Sequence, residues 1–234
     1  MQERIALVTG GTGALGRSVV RRLVEEGARV HSTWISPRDD AELDRIFGDA
    51  AAHVTMHQAD VTSPQTVDAL FKQIKEAEGR LDILCNIAGG FVWAPLAETS
   101  PATWRKMIDM NATSAFLCSR AAAPHLRQSG RGRIVNVASG PALDRGAANM
   151  SAYAASKAAV LNLTYSLSKE LAAGRITVNA IVPSIIDTPD NRKAMPDADT
   201  STWVQADEIA EVVAWLVSDA AGIVTGTAVN LARG

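Results

Sequence analysis

Short β-branched runs alternate with amphipathic stretches along the whole chain. Seven runs read as strands: Arg4–Val8, Arg29–Trp34, His53–His57, Leu81–Asn86, Arg133–Ala138, Ile176–Val182 and Thr227–Leu231. Helical periodicity fills the gaps, over Ala14–Glu26, Asp39–Phe47, Pro64–Glu78, Pro101–Gln128, Ser151–Ala173 and Ala206–Ser218. Mostly apolar strands separated by such helices predict a seven-stranded parallel sheet covered on both faces. Ser63-Pro64 and Ser100-Pro101 each offer an N-cap oxygen followed by proline at the first helical position. Gly27, Gly79 and Gly174 stand where three helices should stop. No linker, repeat or charge block divides residues 1–234, so the pattern is that of one α/β domain. The stretch Pro183–Trp203 lacks clear periodicity, and a loop of that length is usually a lid or a disordered segment.

Composition narrows the function classes. Apolar side chains make up 47% of the 234 residues and the net charge is only −2. That suits a folded globule and gives no basic field for nucleic acid or an anionic membrane. No apolar run approaches the roughly 20 residues of a membrane span, and the run from Ile5 to Val8 is too short for a signal peptide core. Two cysteines, Cys85 and Cys118, form no disulfide framework and suit a reducing, cytoplasmic setting. His31, His53, His57 and His125 show no clustered ligand spacing beyond His53 and His57, four apart on a predicted strand, so no metal is expected.

The first strand runs directly into Thr9-Gly10-Gly11-Thr12-Gly13-Ala14-Leu15-Gly16 and then a helix. Glycine supplies positive φ for the tight turn and lets the backbone approach a pyrophosphate at the positive end of the helix. Gly10, Thr12, Gly13, Ala14, Leu15 and Gly16 are therefore candidate dinucleotide contacts. The second strand ends Thr33-Trp34-Ile35-Ser36-Pro37-Arg38, without the acid that often binds the adenosine ribose. A 2′-phosphate is not repelled there, so the cofactor reads as NAD(P) with a lean to NADP. Trp34 either flanks the adenine or packs under the next helix. Arg38 either reaches a phosphate or is a solvated surface charge.

Four more segments follow in order. They are Asp60-Val61, Asn86-Ile87-Ala88-Gly89, Asn136-Val137-Ala138-Ser139 and Tyr153-Ala154-Ala155-Ser156-Lys157. Together with the glycine loop, they resemble the short-chain dehydrogenase/reductase family over nearly the whole chain. The resemblance implies a Rossmann-type doubly wound fold and a homodimer or homotetramer. It implies reversible hydride transfer between NAD(P)H and a small-molecule carbonyl or its alcohol. It maps the family's active residues onto Asn111, Ser139, Tyr153 and Lys157. Tyr153 and Lys157, four apart, share one helical face. A nearby ammonium should lower the phenol's pKa from its usual ~10. Ser139 would orient the substrate oxygen, and the backbone carbonyl of Asn111 would hold a water linking Lys157 to solvent. By the same resemblance Asp60 accepts from the adenine amino group and Val61 gives a backbone contact. Asn86, Ala88 and Gly89 line the adenosine and ribose, while Pro183, Ile186 and Thr188 hold the nicotinamide carboxamide.

The chain departs from the family at Ala14, Ile87 and Ser184. The Ser139–Tyr153 interval is one residue longer than the family's commonest. Asp187–Asp199, with Trp203 beyond, is similar to the lid of dihydropteridine reductases, which places a substrate lid at about 184–204. That stretch either touches substrate or is a loop pinned by Pro189, Pro196 and Trp203. Reduction of a quinonoid dihydropterin with NADH and a non-catalytic nicotinamide sensor are the alternative functions.

Overall fold

The computed structural model describes residues 1–36, 40–144 and 146–233. Its strands are β1 (Ile5–Val8), β2 (Arg29–Trp34), β3 (Val54–Gln58), β4 (Ile83–Asn86), β5 (Arg133–Val137), β6 (Thr177–Pro183), β7 (Ile186–Asp187), β8 (Val204–Gln205) and β9 (Ala228–Leu231). Among the described residues, seven of them form one sheet in the order β3-β2-β1-β4-β5-β6-β9. Every pairing in that sheet is parallel. β7 and β8 pair only with each other. The strand order reverses between β1 and β4, and a switch point of this kind opens a crevice at the carboxyl ends of the two strands.

The helices are α1 (Ala14–Glu25), α2 (Asp40–Phe47), α3 (Pro64–Glu78), α4 (Pro101–Ile108), α5 (Ser114–Ser129), α6 (Gly140–Leu143), α7 (Ser151–Glu170), α8 (Pro189–Ala194) and α9 (Ala206–Val217). They cover both faces of the sheet. Along β1 the side chains alternate, as the two-residue period of a strand requires. Ala6 and Val8 join Val19 and Leu23 of α1 and Ile209 and Val213 of α9 in one core. Ile5 and Leu7 join Leu70 and Ile74 of α3 and Leu117 and Leu126 of α5 in the other. Burial on both sides is why the strands read as unbroken apolar runs. Each fully buried leucine contributes roughly 1.5–3 kcal/mol of transfer free energy.

The expected strand boundaries hold to within two residues, but four local expectations do not. First, the stretch Pro101–Gln128 is not one helix, because a π turn at Asp109–Thr113 separates α4 from α5. There the Ser114 N–H bonds the Asp109 carbonyl five residues back. Second, Pro183–Trp203 is not a bare loop, since it folds into β7, α8 and a 3-10 turn at Thr200–Thr202 before β8. The Thr188 hydroxyl caps α8 by accepting from Asn191 N, and Arg192 grips Asp187 with both arms of its guanidinium. Third, Ser63 gives no side-chain cap to α3, whereas Ser100 does cap α4. Fourth, α7 stops before Gly174, and Arg175 adopts the left-handed conformation there (φ 55°). The helix start at Asp39 lies outside the described residues.

Candidate active site

At the switch point lies a cleft of about 440 Å³. Its floor is the glycine loop: Gly10, Thr12, Gly13, Ala14, Leu15 and Gly16 all line it. Gly10 has φ +70°, and a Cβ on it would press on Ala88 Cα at 3.1 Å. A Cβ on Gly16 would stand 2.2 Å from the Gly10 carbonyl oxygen, so only glycine fits at position 16 in the first turn of α1. No side chain caps α1 and no acid occupies its first turn. Its orphan amides therefore face the cleft as an anion site. A pyrophosphate fits this cradle.

Two threonine hydroxyls stitch the strand tips together. Thr9 Oγ1 accepts from both Ile87 N and Ala88 N at 3.0 Å. Thr33 Oγ1 accepts from Gly10 N at 3.0 Å. Both residues stand in the quoted motifs but not among the candidate contacts, and their position at strand ends was the available signal.

The far wall holds Trp34 and the residues Asp60, Val61, Ala88 and Gly89 named through the resemblance, together with Ile35, Ser36, Thr62, Ile87 and Met110. Trp34 thus borders the cleft rather than serving only as packing. Asp60 Oδ1 accepts from the backbone N and the hydroxyl of Thr62, which fixes the carboxylate at the rim. Among the described residues Trp34, Ile35 and Ser36, no carboxylate closes the tip of β2. Arg38 lies outside the described residues.

Asn86 corrects the expectation. Its side chain turns into the interior, where Nδ2 donates to Asn136 Oδ1 (2.8 Å) and Ser119 Oγ (3.2 Å). It is 5% exposed and does not line the cleft. Alternation along β4 points it between the strands and α5, and Ile87 takes its place on the wall. Pro183, Ile186 and Thr188 also do not line this cleft. They stand beyond it on the β6 side, where Pro183 closes β6, Ile186 pairs with Val204, and the Thr188 hydroxyl is committed to its helix cap.

Asn111, Ser139, Tyr153 and Lys157 gather at the inner end of the cleft. Gly89 makes the junction: a Cβ there would lie 2.6 Å from Asn111 Oδ1 and 3.4 Å from Lys157 Nζ. Lys157 Nζ donates to the Val137 carbonyl at 2.8 Å and lies 6.0 Å from the centre of the Tyr153 ring. Asn111 accepts from Gly90 N and donates to Gly90 O, both at 3.0 Å. It also donates to Ser156 Oγ at 2.9 Å, and Ser156 in turn donates to Tyr153 O. These bonds outside the helix explain the π turn, a feature frequent at functional sites. Ser156, which the motif reading passed over, thereby ties the asparagine to the Tyr153 helix.

Electrostatics at this corner follow burial. Lys157 is buried, and desolvation of the ammonium brings its pKa down to about 8. Burial pushes the Tyr153 phenol upward, and the nearby Ser139 hydroxyl offsets part of that rise. The two hydroxyls stop short of full hydrogen-bond geometry, since Ser139 Oγ is buried and has no hydrogen-bond partner. Ser139 does not use its side chain to cap α6. The expected lowering of the tyrosine pKa by Lys157 is thus not seen. Desolvation outweighs an ammonium 6.0 Å away, and the phenol keeps its proton at neutral pH.

A dinucleotide-type crevice that ends at a phenol, an ammonium and an uncommitted hydroxyl defines a nucleotide-dependent oxidoreductase. Residues 4–199 match the family described as short chain dehydrogenase, and the chain belongs to that family. It is 37% identical to cis-4-hydroxycyclohexanecarboxylate dehydrogenase of Sinomonas cyclohexanicum, over 96% of this chain and 93% of that one. It is 33% identical to 3alpha-hydroxysteroid dehydrogenase of Mediterraneibacter gnavus, over 97% and 94%. A solved structure described as ElxO with NADP bound superposes with TM-score 0.91 at 25% identity, covering 99% of this chain and 97% of that one. These relatives do not show the narrower likeness to dihydropteridine reductases. Among the described residues no helix is long and apolar enough to cross a membrane, and no group of three metal-ligating side chains is found.

Proposed function

We propose that Tyr153, Ser139, Lys157 and Asn111 carry hydride transfer between NADP(H) and a small carbonyl or its alcohol. The observation that carries the reading is the convergence of Lys157 Nζ, Asn111 and Gly89, which joins the catalytic helix to the nucleotide cleft. The dinucleotide, when bound, supplies or accepts the hydride. The glycine loop and the α1 amides would hold its pyrophosphate, and Trp34, Asp60 and Val61 its adenosine. In the reducing direction the protonated Tyr153 phenol donates to the substrate oxygen. Ser139 Oγ, lacking a partner in the protein, donates a second hydrogen bond to the same oxygen as charge develops. Lys157, with a pKa of about 8, gains and loses a proton near neutral pH and replenishes the phenol. Both ends of the Asn111 amide are committed to Gly90 and Ser156, so its part in the relay falls to the backbone carbonyl.

The lean to NADP rests on the acid-free tip of β2 and on ElxO, which was solved with NADP. Segment 184–204 serves as the substrate lid, anchored by the Asp187–Arg192 pair. The chain works as a cytoplasmic homodimer or homotetramer. Half-exposed Trp104, Phe116 and Tyr165 on α4, α5 and α7 support the oligomer, and the buried free thiols Cys85 and Cys118 suit that compartment. Titration of the purified protein with NADPH and NADH tests the cofactor, with NADPH binding about tenfold more tightly. Equal affinity sinks the preference. A panel of ketones and quinonoid dihydropterin, followed at the nicotinamide absorbance, tests the reaction. Binding without turnover of any of them sinks it.

A further inference from the structure

Beyond the phenol, several large apolar side chains are left exposed. The loop after β4 reads Gly89-Gly90-Phe91-Val92-Trp93-Ala94-Pro95-Leu96, with no ionisable side chain. Phe91 is 55% exposed and Trp93 57%, although aromatic rings of this size are normally covered. The Phe91 ring meets the Tyr153 ring edge-on, with centroids 4.9 Å apart and planes at 85°. Leu143 at the end of α6 and Ile185 just past β6 are also left exposed. These side chains leave the carboxyl ends of β4, β5 and β6, which are neighbours in the sheet. The wall is held in place, because Ala94 N donates to Asn149 O at 2.8 Å and so joins the loop to the segment entering α7.

The geometry points to a ring-bearing substrate, an aryl or alicyclic ketone or secondary alcohol. Its flat body rests in the right-angled corner of Phe91 and Tyr153, and its oxygen meets the phenol. Phe91 is then the residue that sets specificity. The exposed Phe91 ring, set at a right angle to the part-buried Tyr153 ring, selects a flat apolar body over a small hydroxylated one, because only the former gains by displacing water from that ring. This inference rests on the hydride-transfer reading of the same corner.

The test compares cyclohexanone and acetophenone with hydroxyacetone, using the intact protein with saturating NADPH. The wild type is expected to show kcat/KM on the order of 100-fold higher for the ring ketones. Phe91→Ala is expected to lower that value, mainly through KM, at least about ten times more for the ring ketones than for hydroxyacetone. Phe91→Leu, which keeps apolar bulk, should recover part of the loss and guards against a misfolded alanine variant. Hydroxyacetone turned over as well as the ring ketones overturns the substrate class alone. An equal loss on all three ketones means that Phe91 merely props the Tyr153 ring, and also overturns it. If NADPH binds but none of the ketones reacts, the hydride-transfer reading fails, and this inference with it.

Discussion

Two clusters of polar side chains, one joining β2 and β3 to α3 and one at the inner end of the crevice, differ in whether their hydrogen bonds are complete. On the β2–β3 side, His31 Nδ1 meets His57 Nε2 at 2.8 Å, with the rings stacked 5.1 Å apart. His31 Nε2 meets Glu78 Oε1 at 3.1 Å, His57 Nδ1 meets the Gln73 amide at 3.0 Å, and Arg29 pairs with Glu78. Every ring nitrogen has a partner. At the inner end of the cleft, Ser139 Oγ has none and the Tyr153 hydroxyl falls short of it. Buried polar groups in folded proteins are nearly always satisfied, and an exception calls for an explanation. The closed chain ties α3 to the sheet edge. The open corner leaves its donors free for the substrate oxygen proposed above.

The largest effect expected from this contrast is at Tyr153. Removing its hydroxyl in Tyr153→Phe takes away the proposed proton donor and leaves the ring against Phe91. Turnover should fall by about 10³-fold, within the range for a lost general acid. The dissociation constant of NADPH, measured by fluorescence titration, should stay within about threefold. Turnover that survives the substitution would place the proton donor elsewhere and break the contrast.

Ser139→Ala comes next. Because Ser139 Oγ lacks a protein partner, its removal leaves no buried group orphaned. Unfolding free energy should shift by less than about 0.5 kcal/mol, while kcat/KM drops by about 10²-fold. A large stability loss in denaturant would show that the hydroxyl is structural after all.

Lys157 sharpens the same comparison through pH. With a pKa of about 8, its ammonium is present below that value and lost above it. The logarithm of reductive kcat/KM should run flat to about pH 8 and then fall by about one unit per pH unit. In Lys157→Arg, whose guanidinium stays charged, that bend should be absent from whatever activity remains. A profile flat through pH 9.5 in the wild type would remove Lys157 from the proton path.

Much of this architecture was legible in the chain, and the parts that were not share a cause. The strand–glycine–helix junction at Val8–Ala14 and the four-residue spacing of Tyr153 and Lys157 are local, so periodicity reveals them. The π turn at Asp109–Thr113 adds one residue to a helical turn and leaves the hydrophobic pattern almost unchanged. Its cause, the bonding of Asn111 to Gly90 and Ser156, is long-range. Asn86 could not be seen to turn inward, because the partner that draws it, Asn136, lies on the next strand. β7 and β8, two residues each, are too short for any period to show. Desolvation of Tyr153 likewise depends on the packing around it, whereas the spacing of Lys157 alone suggested the opposite shift. His53 and His57 were paired along one presumed strand. In the fold His53 falls in the 3-10 turn before β3, and the partner of His57 is His31, reached across the sheet.

The smallest expected effect belongs to that histidine pair, and it falls on stability rather than turnover. Burial, the neighbouring His57 and Arg29 bring the pKa of His31 down to about 4, and burial also lowers His57. In the unfolded chain both titrate near ~6.5. Between those values the unfolded state binds more protons than the folded one, so stability is complete above about pH 6.5 and is lost as pH falls toward 4. The loss should be on the order of 2 kcal/mol by pH 4.5, read from urea midpoints at constant salt. With neutral rings, His31 Nε2–H donates to Glu78 and His57 Nε2–H donates to His31 Nδ1. The chain Glu78–His31–His57–Gln73 joins α3 to β2 and β3, so acid should loosen the end of α3 from the sheet first. In His31→Gln, His57→Gln the acid-dependent slope between pH 6.5 and 4.5 should flatten, while the proposed active corner, across the sheet, keeps its rate at pH 7.5. An unchanged slope in the double variant would assign the acid sensitivity to carboxylates instead and leave the closed chain with no role in it.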